Sequence, residues 1–272
     1  IMILTTLLML QSQAMAPAGN GDGNFTLPSP LGGDAELQIF GRFQQDFAWI
    51  DDDNFGSPDG SEARRARIGV AGNLAEGLDF KMEVDFASFD GGGAAFTDAY
   101  LKFGTLPLGT VMVGHFKEPF SLNEMTSSRF ITFTERNDTF GLGRSTGIML
   151  SDATDELTWQ AGAFWETDKH LDTSGNDAAY TGRFVFRPVY SEKGASLMHL
   201  GAAVSLRENS VGTYSQGTSG GIHMLNDDLA TASIAADGLT LINLEAAWQE
   251  GAAHAGFEVS QADGDDDSFT AW

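Results

Sequence analysis

The chain contains no cysteine, only 7 prolines, and just 15 lysines and arginines against 38 aspartates and glutamates in 272 residues. Without cysteine there is no disulfide framework; this suits an exported bacterial protein that avoids stray disulfides, although cytosolic proteins also often lack the residue. The net charge of −23 argues against nucleic acid as a partner, because that polyanion is bound by neutralising its phosphates with Lys and Arg. Beyond residue 10 there is no run of about 18 apolar residues, so no helix is expected to cross a bilayer. What the chain does have is 33 glycines, 20 phenylalanines and 42% hydrophobic residues. Aromatics and glycines with so little proline suit many strands joined by turns better than helices.

The first ten residues are apolar except Thr5 and Thr6, and Gln11-Ser12-Gln13 then leads into Ala14-Met15-Ala16. An apolar core ending in a small-x-small site has the form of a secretory signal peptide, expected over residues 1–16. The usual basic leading segment is missing, so the chain is expected to begin inside a longer coding sequence. Residues 17–35 follow as a linker rich in Gly, Asn and Pro without periodicity. At the other end, Ser268-Phe269-Thr270-Ala271-Trp272 reads as the opening of a strand, so strands are expected to continue beyond it.

Alternation dominates between those segments. Leu78, Phe80, Met82, Val84 and Phe86 share one face of an extended chain, and Asp79, Lys81, Glu83 and Asp85 share the other. Residues 36–50, 157–166, 180–187, 198–207 and 242–249 repeat the pattern. Further strands are expected near 64–73, 96–104, 110–116, 145–150 and 253–261, about eleven in all by this periodicity. A soluble, secreted β-sheet binding protein would turn the apolar faces inward. A membrane barrel turns them to lipid and the polar faces to an aqueous lumen. Several segments reach the roughly 9–11 residues needed to span a bilayer as tilted strands. Short links near 73–77 and 250–251 alternate with long acidic ones. Residues 36–272 therefore read as part of a transmembrane antiparallel β-barrel of the bacterial outer membrane, in contact with its lipid.

The two signs of charge are segregated. Acids gather in connections: Asp51-Asp52-Asp53, residues 152–156, 168–177, Asp227-Asp228 and 263–267. Arg42, Arg65, Arg67, Lys81, Lys102, Arg183, Arg187 and Arg207 instead occupy polar strand faces. They are either neutralised crosswise by Asp79, Glu83, Asp85, Asp98 and Glu245, or left to draw anions, as rings of Arg and Lys do in anion pores. The planar guanidinium fork suits oxyanions. Trp49, Trp159, Trp165 and Trp248 lie on the apolar side, which disfavours an aromatic sugar track in the lumen. Gly143-Arg144-Ser145-Thr146-Gly147 matches a nucleophile elbow. It has no helical pattern after it and no nearby His, so no catalytic residue is expected. The five histidines show no ligand spacing, and neither a metal nor a cofactor is expected.

From Arg64-Arg65-Ala66-Arg67, through Phe96-Thr97-Asp98-Ala99-Tyr100 and Gly114-His115-Phe116-Lys117-Glu118-Pro119-Phe120-Ser121-Leu122, to Phe133-Thr134-Glu135-Arg136-Asn137, the chain resembles the phosphate-selective porin O and P family. The resemblance is most specific over residues 64–137 and continues more weakly to Trp272. It implies a homotrimeric barrel of roughly 16 strands, an even number as in bacterial barrels, with about a third of it lying beyond the C-terminal end. It also implies a third loop, here residues 117–144, folded inward as the constriction. Length, Pro119 and the lack of alternation fit such a functional loop. Arg42, Arg64, Arg65 and Arg136 stand roughly where the family guides anions, with Arg64 of opposite parity to Arg65. Where the family carries its phosphate-binding lysine, this chain has Glu124; Lys117 and Arg129 are candidate replacements. The expected function is passive diffusion of small anionic solutes, phosphate or polyphosphate among them, along Arg42, Arg64, Arg65, Arg67, Lys81, Arg136, Arg183 and Arg187. A general, non-selective diffusion porin is the alternative.

Overall fold

The computed structural model describes residues 25–28, 36–49, 60–87, 94–133, 135–136, 140–167, 170–191, 194–219, 221–224 and 228–272. The signal-like segment 1–16 and most of the linker lie outside them. Four strands open the chain: β1 (Phe25–Pro28), β2 (Glu36–Ala48), β3 (Gly60–Ala75) and β4 (Leu78–Asp85). After β5 (Ala95–Leu106) and β6 (Gly109–Lys117) comes a single helical turn, α1 (Leu122–Met125). Then follow β7 (Arg144–Ala153), β8 (Leu157–Thr167), β9 (Thr173–Ser191) and β10 (Ser196–Glu208). The last five are β11 (Thr213–Ser219), β12 (Asp228–Ala235), β13 (Gly238–Glu250), β14 (Ala253–Asp263) and β15 (Ser268–Ala271).

Thirteen of these strands form one antiparallel sheet in chain order. β11 and β12 pair only with each other, and β10 joins β13 directly. Among the described residues the sheet does not close: β1 and β15 are its edges. The eleven strands expected from alternation are all present. Of the other four, β15 begins at Ser268, where a strand opening was expected, and β1, β11 and β12 are short; Ser, Thr, Gly and Ala fill much of β11 and β12, so those two carry no apolar rhythm to read.

Burial is inverted relative to a water-soluble protein. On β13, Leu244 is 53% exposed while its neighbours Asn243 and Glu245 are 0% and 4% exposed. On β10, Val204 and Leu206 are exposed, whereas Ser205 and Arg207 are buried. The sheet therefore curls around its polar face and presents apolar side chains outward, as a bilayer requires. Exposed rings sit towards both ends, Trp49 and Trp165 at one and Phe103, Tyr190 and Trp248 at the other, in keeping with aromatic belts at the two interfaces. The short turns at 76–77, 107–108, 154–156 and 251–252 share one end, and the long connections 118–143 and 209–237 share the other. That asymmetry is typical of outer-membrane barrels.

This inversion predicts depth-dependent costs. Leu244→Arg, at the middle of β13, should lower folding stability in lipid vesicles by about 2–4 kcal/mol, whereas Ala253→Arg beside the turn should cost about 0–1 kcal/mol. Urea titration of the protein folded into vesicles measures both.

Candidate functional site

The connection 118–143 crosses the polar face of the sheet. At its start, Glu118 is fully buried and accepts hydrogen bonds from Ser145 on β7 (2.7 Å) and Thr181 on β9 (2.9 Å). It also accepts from both terminal nitrogens of Arg207 on β10, at 2.8 and 3.2 Å. A carboxylate with four donors is satisfied without water, and the bidentate Arg207 fork fixes its orientation. Phe120 then packs with Phe140, Leu239, Leu241 and Ile234 in an apolar cluster. The ring of Phe140 lies 6.2 Å from Tyr214 on β11 and 5.1 Å from Phe269 on β15. Both ends of the connection are thus seated against β9–β15.

Its middle reaches the opposite side. Arg42 on β2 donates to Ser128 Oγ (2.7 Å) and to the Ser128 carbonyl (3.1 Å). Arg64 on β3 donates to both oxygens of Glu135 at 2.5 and 3.0 Å. Arg136 ties the two limbs of the connection together through the carbonyls of Asn123 (3.0 Å) and Thr126 (2.7 Å). The backbone of Asn123 also donates to Glu258 on β14 (3.1 Å).

Between this connection and the sheet lies a cavity of about 680 Å³. Arg42, Arg64, Arg65, Arg67 and Lys81 line it from β2–β4, and Lys117 and Arg144 from β6 and β7. Arg129 and Arg136 line it from the connection, making nine cations against two lining carboxylates, Glu83 and Asp98. Arg67 bonds Asp85 (2.7 Å) and Glu83 (3.3 Å), and Asp98 takes Lys81 (2.5 Å) and Arg144 (2.8 Å). Lys117 is engaged by Glu124 (3.0 Å). Counting Asp85, Glu124 and Glu135 as well, the cluster keeps four cations in excess of its carboxylates. Among the described residues, Arg42 and Arg129 have no carboxylate within 4.0 Å. Arg42 sits directly across from Arg67, and Lys117 directly across from Arg144. Like charges facing each other across a ladder destabilise a sheet, and here two such pairs border one space.

The residues expected to line an anion path are therefore divided. Arg64 joins Arg65 despite its parity, because a bulge shifts the register: Gln44 faces Arg65, but Gln45 faces Ala63. The extra residue of a bulge re-aims its side chain. Arg183 lies elsewhere on the polar face, bonded to Glu245 (2.5 Å) and near Gln160 (3.5 Å). Arg187 is outside the cluster; it donates to the carbonyls of Asp155 (2.8 Å) and Thr154 (2.6 Å) and holds the turn between β7 and β8. Lys117 does not stand free as a replacement cation, since Glu124 holds it. The sequence reading missed Arg144, Glu118 and Glu135. Only Glu118 left a trace, as a lone acid in the otherwise uncharged run Glu118-Pro119-Phe120-Ser121-Leu122. The elbow-like Ser145 lies within β7, and its hydroxyl is spent on Glu118.

Two predictions concern the anchors. Glu118→Ala leaves Arg207 with the exposed Glu166 and the Ser205 hydroxyl but without its buried carboxylate, and breaking a buried pair costs about 3–5 kcal/mol. The connection should then detach, seen as faster protease cleavage within 118–143. At the other anchor, burial opposes ionisation of Glu135, but hydrogen bonding and charge from Arg64 outweigh it and hold its carboxyl below the usual range. A depressed acid stabilises fully above its unfolded value and loses the contribution as pH falls through the folded one. Acid should therefore release this contact only below the ordinary carboxylate range, and Glu135→Gln should abolish the step in a pH series of protease protection.

A Caulobacter vibrioides protein, itself uncharacterized, is 28% identical over 195 residues, covering 66% of this chain and 38% of its own length. The chain thus spans well under half of that curated relative. Among solved structures, the Vibrio cholerae outer membrane protein OmpT is similar with a TM-score of 0.49 at 16% identity, over 87% of this chain and 66% of that one. The outer membrane channel DcaP of Acinetobacter baumannii gives 0.45 at 15% identity, over 89% and 82%. The family model for phosphate-selective porin O and P matches residues 37–268, and the chain belongs to this family of outer-membrane porins.

Proposed function

We propose that the protein is a passive outer-membrane channel that prefers small anions. Family membership supports a transport channel rather than an enzyme; the preference rests on the charge of the cavity. The observation that carries it is Arg42, set opposite Arg67 with Ser128 and Gln44 as its neutral partners. A cation kept without a counter-ion beside another cation, in a narrow space of reduced dielectric, raises the local concentration of negative solutes. Chloride, phosphate and polyphosphate are candidate solutes. Glu124 at the cavity edge and its hold on Lys117 favour a preference for anions as a class over a dedicated phosphate lysine. A homotrimer in outer-membrane lipid belongs to the same reading, on the strength of the family resemblance.

Reversal potentials in a potassium chloride gradient test it. The full-length protein should be chloride-selective, and Arg42→Ala should reduce the selectivity by about two-fold or more by removing one focused charge. Arg187→Ala, at the turn, should leave it unchanged. Cation selectivity would overturn the reading, and a zero reversal potential would make the pore non-selective.

A further inference from the structure

The cavity is not uniformly polar. Besides the arginines of β2 and β3, its lining includes Tyr100 and Met112 from β5 and β6, and Met125 and Phe130 from the connection. Tyr100 is backed by Phe116, at a ring separation of 6.1 Å and nearly perpendicular. Phe116, Met149 and Phe164 behind it are all buried, forming a compact apolar layer within the polar face.

Glycines make that layer possible. The ring of Phe164 lies across Gly147 and Gly162, where an added Cβ would fall 2.6 and 2.7 Å from it. Rings laid over strand glycines cover backbone that would otherwise be open to water. A lumen serving only hydrated inorganic ions has no use for such a surface, since apolar walls offer those ions nothing and narrow the path.

We infer that this cavity binds organic anions with a flat apolar body, of the arenecarboxylate or arenesulfonate class. The acid group meets the uncompensated guanidinium of Arg42 and its neighbours, and the ring lies against Tyr100 and Met112. Both interactions have recognised strength: a guanidinium fork pairs bidentately with carboxylate, and an aromatic ring or thioether gains by covering another ring. The inference rests on the anion-preferring reading and adds a solute class to it.

Block of chloride current in planar bilayers, with benzoate, acetate and phosphate as probes, decides the matter. Benzoate should half-block the full-length channel at a concentration about ten-fold or more below that of acetate, the effect of burying part of a ring, and below that of phosphate. Met112→Ser should shrink the benzoate advantage over acetate, and Met112→Leu should retain it. Equal block by benzoate and acetate in a chloride-selective channel overturns this inference and leaves the anion reading standing. Cation selectivity in the same bilayer overturns both. The comparison of probes uses the unaltered protein, so it stands even if a variant does not fold.

Discussion

Lipid offers no partner to a charge or to an open backbone group, and everything in this molecule follows from that. Strands satisfy their backbone groups through the ladder. Their side chains can only alternate, so most charged residues near the middle of a spanning strand are delivered to the inner face. Leu244, outward between Asn243 and Glu245, is the rule in miniature. An inner face assembled this way collects charge at high density, and the geometry of pairing determines how much is neutralised.

Neutralisation here is uneven. Arg183 and Arg207 are matched to Glu245 and Glu118 in geometry that leaves them structural. Around the cavity, the same residue types are arranged with a deficit of acid. A chain with a net charge of −23 thus lines one cavity with nine cations and two carboxylates. Net charge alone therefore says little about the charge that borders this space, because alternation sorts residues by face before sign matters.

The strands were readable in the sequence because a one-sided environment writes itself as period two. The strands it could not supply, such as β11, lack a contrast between faces. Strict parity sets Arg64 opposite Arg65; a bulge fixed by register with β2 brings the two together and leaves no local mark. Trp49, Trp165 and Trp248 are exposed on the apolar side as expected, whereas the contact of the inward Tyr100 and Phe116 depends on the pairing of β5 with β6 and left no local mark. Glu118 stood out only as a lone acid, and its anchoring role was not legible because its four donors come from β7, β9 and β10, distant in sequence. Long-range partners of one buried carboxylate are a property of the folded arrangement alone.

The connection 118–143 holds β2 and β3 through Ser128 and Glu135, and β9, β10 and β14 through Glu118 and Asn123. It is therefore a tie-rod drawn across the polar face. A chord fixed at both ends of an arc sets the radius of that arc, so the width of the passage and the curvature of the wall are one mechanical variable. Any change that lengthens or slackens the chord must flatten the wall, and strain applied to the outer face is transmitted to the aperture.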